Sequence, residues 1–554
     1  MNTIQSAVPS GFPDELYLIG CNTTMRDHRG DAHASAQTLG FKAYSLMRMA
    51  EMELPVPPAF VLGTHYCKDA GAREAATQRG TWSPGIQALE EVTGKRFGDP
   101  RLPLLLSVRS GAPVSMPGMM QTLLNIGLCD ATLAGMLRET GNPRLVWDTY
   151  RRLIATYGEV VSGISPQIFQ AECPVGTGSI DERDLDFAEL RDLTHRYLAI
   201  YERSVGRPFP QDPHEQLARA IEAVLLSWQS PKACEYRRQG SISDAIGTAV
   251  TVQAMVFGNA GGQSGSGVGF TRNPSSGEPA LWIDFLFNAQ GEDVVSGRRS
   301  AHGHDELTEV MPKVWQALGE VSKRLERSFL DMQDFEFTVN DGRLYMLQTR
   351  TGKRTPQAAV RIALDLLDEG VINADMARER TGGVELSALV RRRVTSPDGK
   401  PIIPLAHAAS ASSGVAVGVI AFDQAGVESR HAAGASVILV RRDAETDDIA
   451  ALELASGLLT QRGSRTAHAA VVARQLGKVC LIGCAALGLD VARQTIRFGD
   501  TALHEGDLVT LDGNDGAIYA GALQTVVEPL VDLQLRLKRL REPRVDAVKE
   551  EVVQ

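Results

Sequence analysis

Residues 458–484 read LLTQRGSRTAHAAVVARQLGKVCLIGC, and the reading of this stretch decides the fold of the second half of the chain. A turn containing Gly463 runs straight into an Ala/Val-rich segment, which predicts a helix from about His468 to Leu476 with His468 in its first turn. A helix start presents unpaired N–H groups and a partial positive charge, so a phosphoryl group carried on His468 would be stabilised there. The same field disfavours the imidazolium and keeps the ring a neutral nucleophile. Arg462, Arg465 and Arg474 are candidates to add charge-assisted hydrogen bonds to the phosphoryl oxygens. Taken alone, a histidine at a helix start is more often structural, so its neighbours have to decide.

Outward from this helix, residues 401–523 read as one unit with short strands at Ala435–Val440 and Leu508–Leu511. Upstream, 356–393 is patterned as helix and ends in Arg391-Arg392-Arg393, after which Ser396-Pro397-Asp398-Gly399 reads as linker. Residues 245–350 are strand-like, with Val250-Thr251-Val252, a glycine-rich turn at Gly261–Gly269, and Leu344–Leu347 as a buried strand. From about 183 to 230 the period is helical: Leu217, Ile221, Val224, Leu225 and Trp228 share one face. Residues 35–130 read as strands and loops more than as long helices. In the tail, Leu530, Leu533, Leu537 and Leu540 stand at helical spacing, a stripe suited to capping the chain's own domain or to docking a separate acceptor.

The chain has 554 residues, 43% of them hydrophobic, whereas domains run to about 100–200 residues, so an α/β protein of two to four domains is expected. Its 57 basic and 67 acidic residues give a net charge of −10, which argues against a broad nucleic-acid surface. No basic segment leads into an apolar stretch at the start, and no run of about 18 apolar residues suggests a membrane span. A cytoplasmic location is the default expectation. The seven cysteines are scattered without zinc spacing and read as reduced thiols; Cys480 and Cys484 suggest packing before a redox pair.

The 458–484 string closely resembles the phosphohistidine domain of the pyruvate phosphate dikinase family, with its Gly-Gly-x-Thr-x-His-Ala-Ala core. Ser464 replaces the second glycine here, and Ala467 stands where dikinases usually have serine. Five further strings resemble the family's ATP-grasp region in order and spacing: LGFKAYSLMRMAEMELPVPPAFVL (39–62), LLLSVRSGAPVSMPGMMQTLLNIGL (104–128), MVFGNAGGQSGSGVGFTRNPSSGE (255–278), NAQGEDVVSG (288–297) and DMQDFEFTVNDGRLYMLQTRTGKRT (331–355). The resemblance implies an ATP-grasp nucleotide-binding domain over 1–355 with the helical subdomain inserted at 183–230, and a helical linker at 356–400. A swivelling β/α phosphohistidine domain over 401–523 and a helical tail at 524–554 complete the expected order. A Walker motif is absent from the sequence.

A polyphosphate needs fixed cations and a metal, because its transfer is largely positioning and electrostatic stabilisation. By the resemblance, Lys42, Arg109, Arg350 and one or both of Arg151 and Arg152 hold phosphates, and Arg109 joins His468 in catalysis. Asp334 and Glu336, one residue apart in a predicted strand, share a face, and with Gln348 on the next strand they match the family's Mg²⁺ and phosphate positions. The loop Ser110–Gly118 is expected to close over the phosphates. Phe41 and Ala43 flank Lys42 where the family has glycines, and Asp284 stands where a glutamate is usual.

The implied activity is cleavage of ATP to AMP with transfer to His468, the second acceptor being orthophosphate in dikinase fashion or water in synthase fashion. The resemblance ends near residue 525, while a pyruvate-binding (β/α)₈ barrel needs about 250 residues. The expected final acceptor is therefore pyruvate on a separate barrel subunit, or another small acceptor, with Arg391–Gly399 as a swivel linker. The competing expectation is a catalytically silent, adenine-nucleotide-binding regulator.

Overall fold

The computed structural model describes residues 16–21, 34–114, 116, 120–173, 185–295, 304–396, 401–443, 448–465 and 467–542. The chain divides into two compact units, residues 1–260 with 345–349, and residues 261–344 with 350–554. Both mix helices with sheet.

In the first unit, β1 (Leu16–Ile19), β2 (Ala59–Leu62), β3 (Leu106–Gly111), β4 (Thr122–Ile126) and β5 (Ala249–Ala254) form an antiparallel sheet in the order β1-β2-β5-β3-β4. The segment 35–130, expected to be strands and loops, also holds three helices: α1 (Ala36–Glu51), α2 (Ala70–Thr77) and α3 (Arg79–Thr93). The signal was present, since Leu39, Ala43, Leu46 and Met49 stand at helical spacing and are all buried. Six helices follow: α4 (Asp130–Thr140), α5 (Pro143–Ser162), α6 (Pro166–Glu172), α7 (Phe187–Val205), α8 (Pro213–Ser227) and α9 (Pro231–Gln239). The stripe Leu217, Ile221, Val224, Leu225 and Trp228 is buried along α8, as its spacing predicts.

In the second unit, β6 (Gly265–Phe270) lies between β7 (Trp282–Phe287) and β8 (Gln333–Asn340), antiparallel to both. The glycine-rich stretch expected to be a turn is therefore mostly strand. A Cβ at Gly265, Gly267 or Gly269 would meet the ring of Phe285, Phe337 or Phe335 at 2.1, 2.5 and 2.6 Å, so the glycines make room for phenylalanines from both neighbouring strands. Between β7 and β8 run α10 (Gly291–Val295), α11 (His304–Val310) and α12 (Pro312–Phe329). β9 (Arg343–Thr351) follows β8 through Asp341 and Gly342, both at positive φ.

Helices α13 (Pro356–Asp368) and α14 (Ala374–Thr381) match the helical pattern expected there, but Arg391–Arg393 does not end a helix. It lies in β10 (Val390–Thr395), which pairs antiparallel with residues 524–529 some 135 positions later. Pro397–Gly399 of the expected linker lies outside the described residues. Next come β11 (Ala406–His407), β12 (Ala409–Ser412), β13 (Val415–Ala421), α15 (Gln424–Ala432), β14 (Val437–Arg441), α16 (Ile449–Leu454), β15 (Gly457–Thr460), α17 (His468–Gln475) and β16 (Val479–Ile482). The small antiparallel sheet β17 (Leu487–Asp490), β18 (Thr495–Phe498) and β19 (Thr501–His504) precedes β20 (Leu508–Asp512), β21 (Ala517–Ala520) and β22 (Gln524–Pro529).

Eight of these strands form one sheet, β11-β21-β20-β13-β14-β15-β16-β12, in which β13, β14, β15 and β16 are parallel and joined by α15, α16 and α17. Parallel strands need covered faces, and two apolar clusters flank this sheet. The tail forms α18 (Val531–Arg541), whose Leu533, Leu537 and Leu540 are buried in a cluster with Leu364, Ile372 and Ala377 of the α13–α14 region. Its stripe is thus used within the chain. Cys480 and Cys484 are both buried, and burial pushes the Cys480 thiol up to about 12, which leaves it inert. Among the described residues no helix is long and apolar enough to cross a membrane.

Candidate functional site

The first unit places Lys42 and Arg109 at one corner. α1 kinks at Gly40, where φ is 73° and an added Cβ would lie 1.8 Å from the Gly111 carbonyl oxygen, so only glycine permits the approach. Phe41 donates its N–H to the Ala112 carbonyl at 2.9 Å. This close passage sets Lys42 beside the end of β3, which carries Arg109 two residues before Gly111. Of the loop expected to close over phosphates, Ser115, Pro117 and Gly118 lie outside the described residues. Gln348 is buried in β9, among the residues counted with this unit.

Arg151 and Arg152, of which one or both are expected to hold phosphate, lie on α5 and both bond to Asp148. Arg151 donates to Asp148 at 2.7 Å and Arg152 to the other oxygen of the same carboxylate at 2.9 Å, both along α5. The Arg151–Asp148 pair is only 6% exposed on either side, and Asp148 is held below the ordinary carboxylate range by these arginines against the cost of burial. Arg151 is a helix brace. Arg152 keeps part of its surface.

The second unit gathers the other candidates on one face of a sheet. Residues directly opposite in antiparallel strands point the same way, so the registers define three rows across β7, β6 and β8: Trp282–Phe270–Asp334, Asp284–Val268–Glu336 and Leu286–Ser266–Thr338. Asp334 and Glu336 therefore share a face, as their alternation predicts. Asp334 is buried and accepts from Arg350 Nε at 2.8 Å. Burial raises the Asp334 carboxyl above its ordinary range, and Glu336 adds to this while Arg350 opposes it. For Arg350, burial works against the charge, but Asp334 prevails and keeps it firmly protonated. Among the described residues no group of three or more His, Cys, Asp or Glu is assembled for a metal. Two carboxylates on one face still suit a hard cation that keeps phosphate and water as its other ligands.

The same face receives the segment that begins α17. His468 is the first residue of that helix, with Ala467 as its N-cap and no side-chain cap; its side chain and all of Thr466 lie outside the described atoms. Ser464 donates to the Val294 carbonyl at 3.1 Å. Arg465 donates Nε to Asp284 at 2.8 Å and Nη2 to the Ile283 carbonyl at 2.7 Å, and lies 4.2 Å over the Trp282 ring. Arg474, 1% exposed, donates to the carbonyls of Ala411 at 2.7 Å and Arg465 at 3.2 Å, and sits 5.2 Å from the Trp282 ring and 5.4 Å from that of Phe270. Its Nη1 finds no hydrogen-bond partner among the described residues. Burial pulls the Arg474 guanidinium down to about 10, opposed by charges that include Asp284 and Asp334. Arg462 is exposed, and its backbone N–H is bonded to Arg442.

The contribution of Trp282 was not anticipated from the sequence. A usable signal existed: it stands two residues before Asp284 in a strand and so must share its face. The carbonyls of Ile283, Val294 and Ala411 had no such signal, because any residue supplies one.

A family model described as the AMP/ATP-binding domain of pyruvate phosphate dikinase matches residues 83–305 and 303–370. A second, the mobile domain of PEP-utilising enzymes, matches 434–516. Pyruvate, phosphate dikinase 2 of Zea mays is 42% identical over 491 residues, covering 88% of this chain and 56% of that protein. Pyruvate, phosphate dikinase of Clostridium symbiosum is 41% identical over 494 residues, with 88% and 56% covered. The chloroplastic pyruvate, phosphate dikinase 1 of Oryza sativa subsp. japonica is 42% identical over 494 residues, with 88% and 52% covered. The chain spans about half the length of these curated relatives.

Proposed function

The chain belongs to the pyruvate phosphate dikinase family, and on that premise we propose that it is an ATP-dependent phosphotransferase that cleaves ATP to AMP and carries phosphate on His468. In this reading residues 1–355 act as an ATP-grasp nucleotide-binding domain and 401–523 as the swivelling phosphohistidine carrier. Lys42, Arg109 and Arg350 bind phosphate oxygens, with Arg152 as a further cation, and Asp334, Glu336 and Gln348 supply oxygen ligands to Mg²⁺. The metal, when bound, neutralises phosphate charge. The chain's own residues orient the polyphosphate and bring an imidazole nitrogen to the β-phosphorus. The N–P bond forms as the bond linking the β-phosphorus to the oxygen it shares with the α-phosphate breaks, and AMP leaves with that electron pair. Orthophosphate then takes the γ-phosphoryl group and leaves as pyrophosphate, and the phosphate remaining on His468 passes to pyruvate or another small acceptor, on this polypeptide or a separate one.

One observation carries this reading. The segment that opens the His468 helix is bonded to the sheet face that presents Asp334 and Glu336, so acceptor and carboxylates belong to one assembly within the second unit. The test is incubation with Mg-ATP labelled at the β-phosphate, with and without orthophosphate, measuring AMP, pyrophosphate and acid-labile protein phosphate. Label is expected on the wild-type chain and absent from His468→Ala, with nucleotide affinity retained. Equal labelling of both proteins would place the nucleophile elsewhere, and nucleotide binding without AMP under any acceptor condition would leave a silent binder.

A further inference from the structure

Arg465 stands three residues ahead of His468 in the turn that begins α17. Strand β7 engages two of its five N–H donors and one of its faces: Nε by Asp284, Nη2 by the Ile283 carbonyl, and the flat face by Trp282. A planar guanidinium can make all three contacts at once, whereas a lysine ammonium offers only a point charge. The carboxylate it meets is 2% exposed, and the two partners are separated by 181 residues of sequence. A charge-assisted bond to so buried a carboxylate is strong, and its loss leaves that carboxylate without this partner. Nearby contacts are weaker by kind. Ser464 and Arg474 bond to neutral carbonyls, and Ser275 reaches the Ala411 carbonyl at 3.4 Å.

We propose that Arg465 is a positioning residue. It latches the segment that opens α17 onto β7, through Asp284, the Ile283 carbonyl and Trp282, and so holds the His468 backbone in place over the carboxylate row of the sheet. Arg465 then acts through docking and does not serve as a phosphate ligand. Asp284, the site of a departure from the family's usual glutamate, is its counterpart, and the rows of the sheet put Trp282 and Asp284 on the face where one guanidinium meets both. The consequence for rate rests on the phosphotransfer reading above; the latch itself does not.

The test uses the full chain labelled with 5-fluorotryptophan. Its five tryptophans give five ¹⁹F resonances, and Trp282→Phe assigns the one that reports the latch. In Arg465→Ala the Trp282 line is expected to shift towards its solvent-exposed position, while the other four stay in place and show that the chain is folded. Labelling of His468 from Mg-ATP is expected to slow about 30- to 4,000-fold, the range for truncating one partner of a buried charge pair, with nucleotide affinity unchanged. Arg465→Lys should fall between, keeping charge but losing the planar fork. Asp284→Asn should resemble Arg465→Ala, and the double variant should be no worse than the poorer single one. An unmoved Trp282 line in Arg465→Ala overturns the latch, as do multiplying effects in the double variant. A shifted line with undiminished labelling overturns the positioning role. If the wild-type chain is never labelled but the line still responds to Arg465→Ala, the latch stands and the phosphotransfer reading falls.

Discussion

Two arginine pairs, each with one buried member and one partly exposed, use their guanidinium groups over very different lengths of chain. On α5, Arg151 and Arg152 converge on Asp148, three and four positions earlier on the same helix. Around α17, Arg465 and Arg474 reach across to β7 and to the Ala411 carbonyl, through partners as far as 181 residues away. The first arrangement stiffens one element. The second ties a helix start to a distant sheet and therefore carries information about where that start is held. Burial and charge are alike in the two places, so what separates a brace from a latch is the sequence distance of the partner.

That contrast can be broken by experiment. The largest effect is expected at Asp148→Ala, which takes from the buried Arg151 guanidinium the carboxylate it is bonded to and should cost about 3–5 kcal/mol. The urea midpoint of the first unit should fall and the α5 amides should lose hydrogen-exchange protection, while the ¹⁹F line of Trp282 stays where it is. Movement of that line would mean that the α5 brace is not local. A smaller effect is expected at Gly267→Ala, where the new Cβ would lie 2.5 Å from the Phe337 ring. Overpacking of this kind costs about 1–3 kcal/mol. The strain falls in the sheet that bears the latch, so both the urea midpoint of the second unit and the Trp282 line should respond. A normal midpoint would show that the phenylalanine rings repack without penalty.

The smallest effect concerns a group held by rings instead of charges. His214 stacks 5.8 Å from Trp82 and meets Phe97 edge-on at 5.2 Å, and burial, helped by Arg79, keeps its pKa below the ordinary value of 6.5. The unfolded chain then binds the proton more readily. Stability from this site is intact above the unfolded pKa and is lost as pH falls below it towards the folded one. Urea midpoints measured from pH 7 to pH 5 should decline less steeply in His214→Gln than in the wild type. Equal slopes would assign the acid sensitivity to other groups.

Much of the fold was legible because it depends on near neighbours. The α8 stripe, the start of α17 and the shared face of Asp334 and Glu336 all follow from periods of 3.6 or 2. β6 was not legible, because glycine has little strand preference and Gly265, Gly267 and Gly269 suit the site through rings contributed by β7 and β8. The Arg391–Arg393 block was misread for a related reason. Its strand exists by pairing with β22, and no local pattern announces a partner so far along the chain. Among the site residues, the sequence left open which of Arg151 and Arg152 meets a phosphate, and Asp148 stands at the spacing of a helix ion pair with both.

The sequence by itself determined the periodic elements, the imidazole at a helix start and the alternating carboxylates, because each depends on residues within a few positions of one another. Only the tertiary structure decided which arginine braces a helix and which reaches a distant sheet. Such pairing is settled by strand register and close packing between segments far apart in the chain, and a side chain's own neighbours carry no record of it.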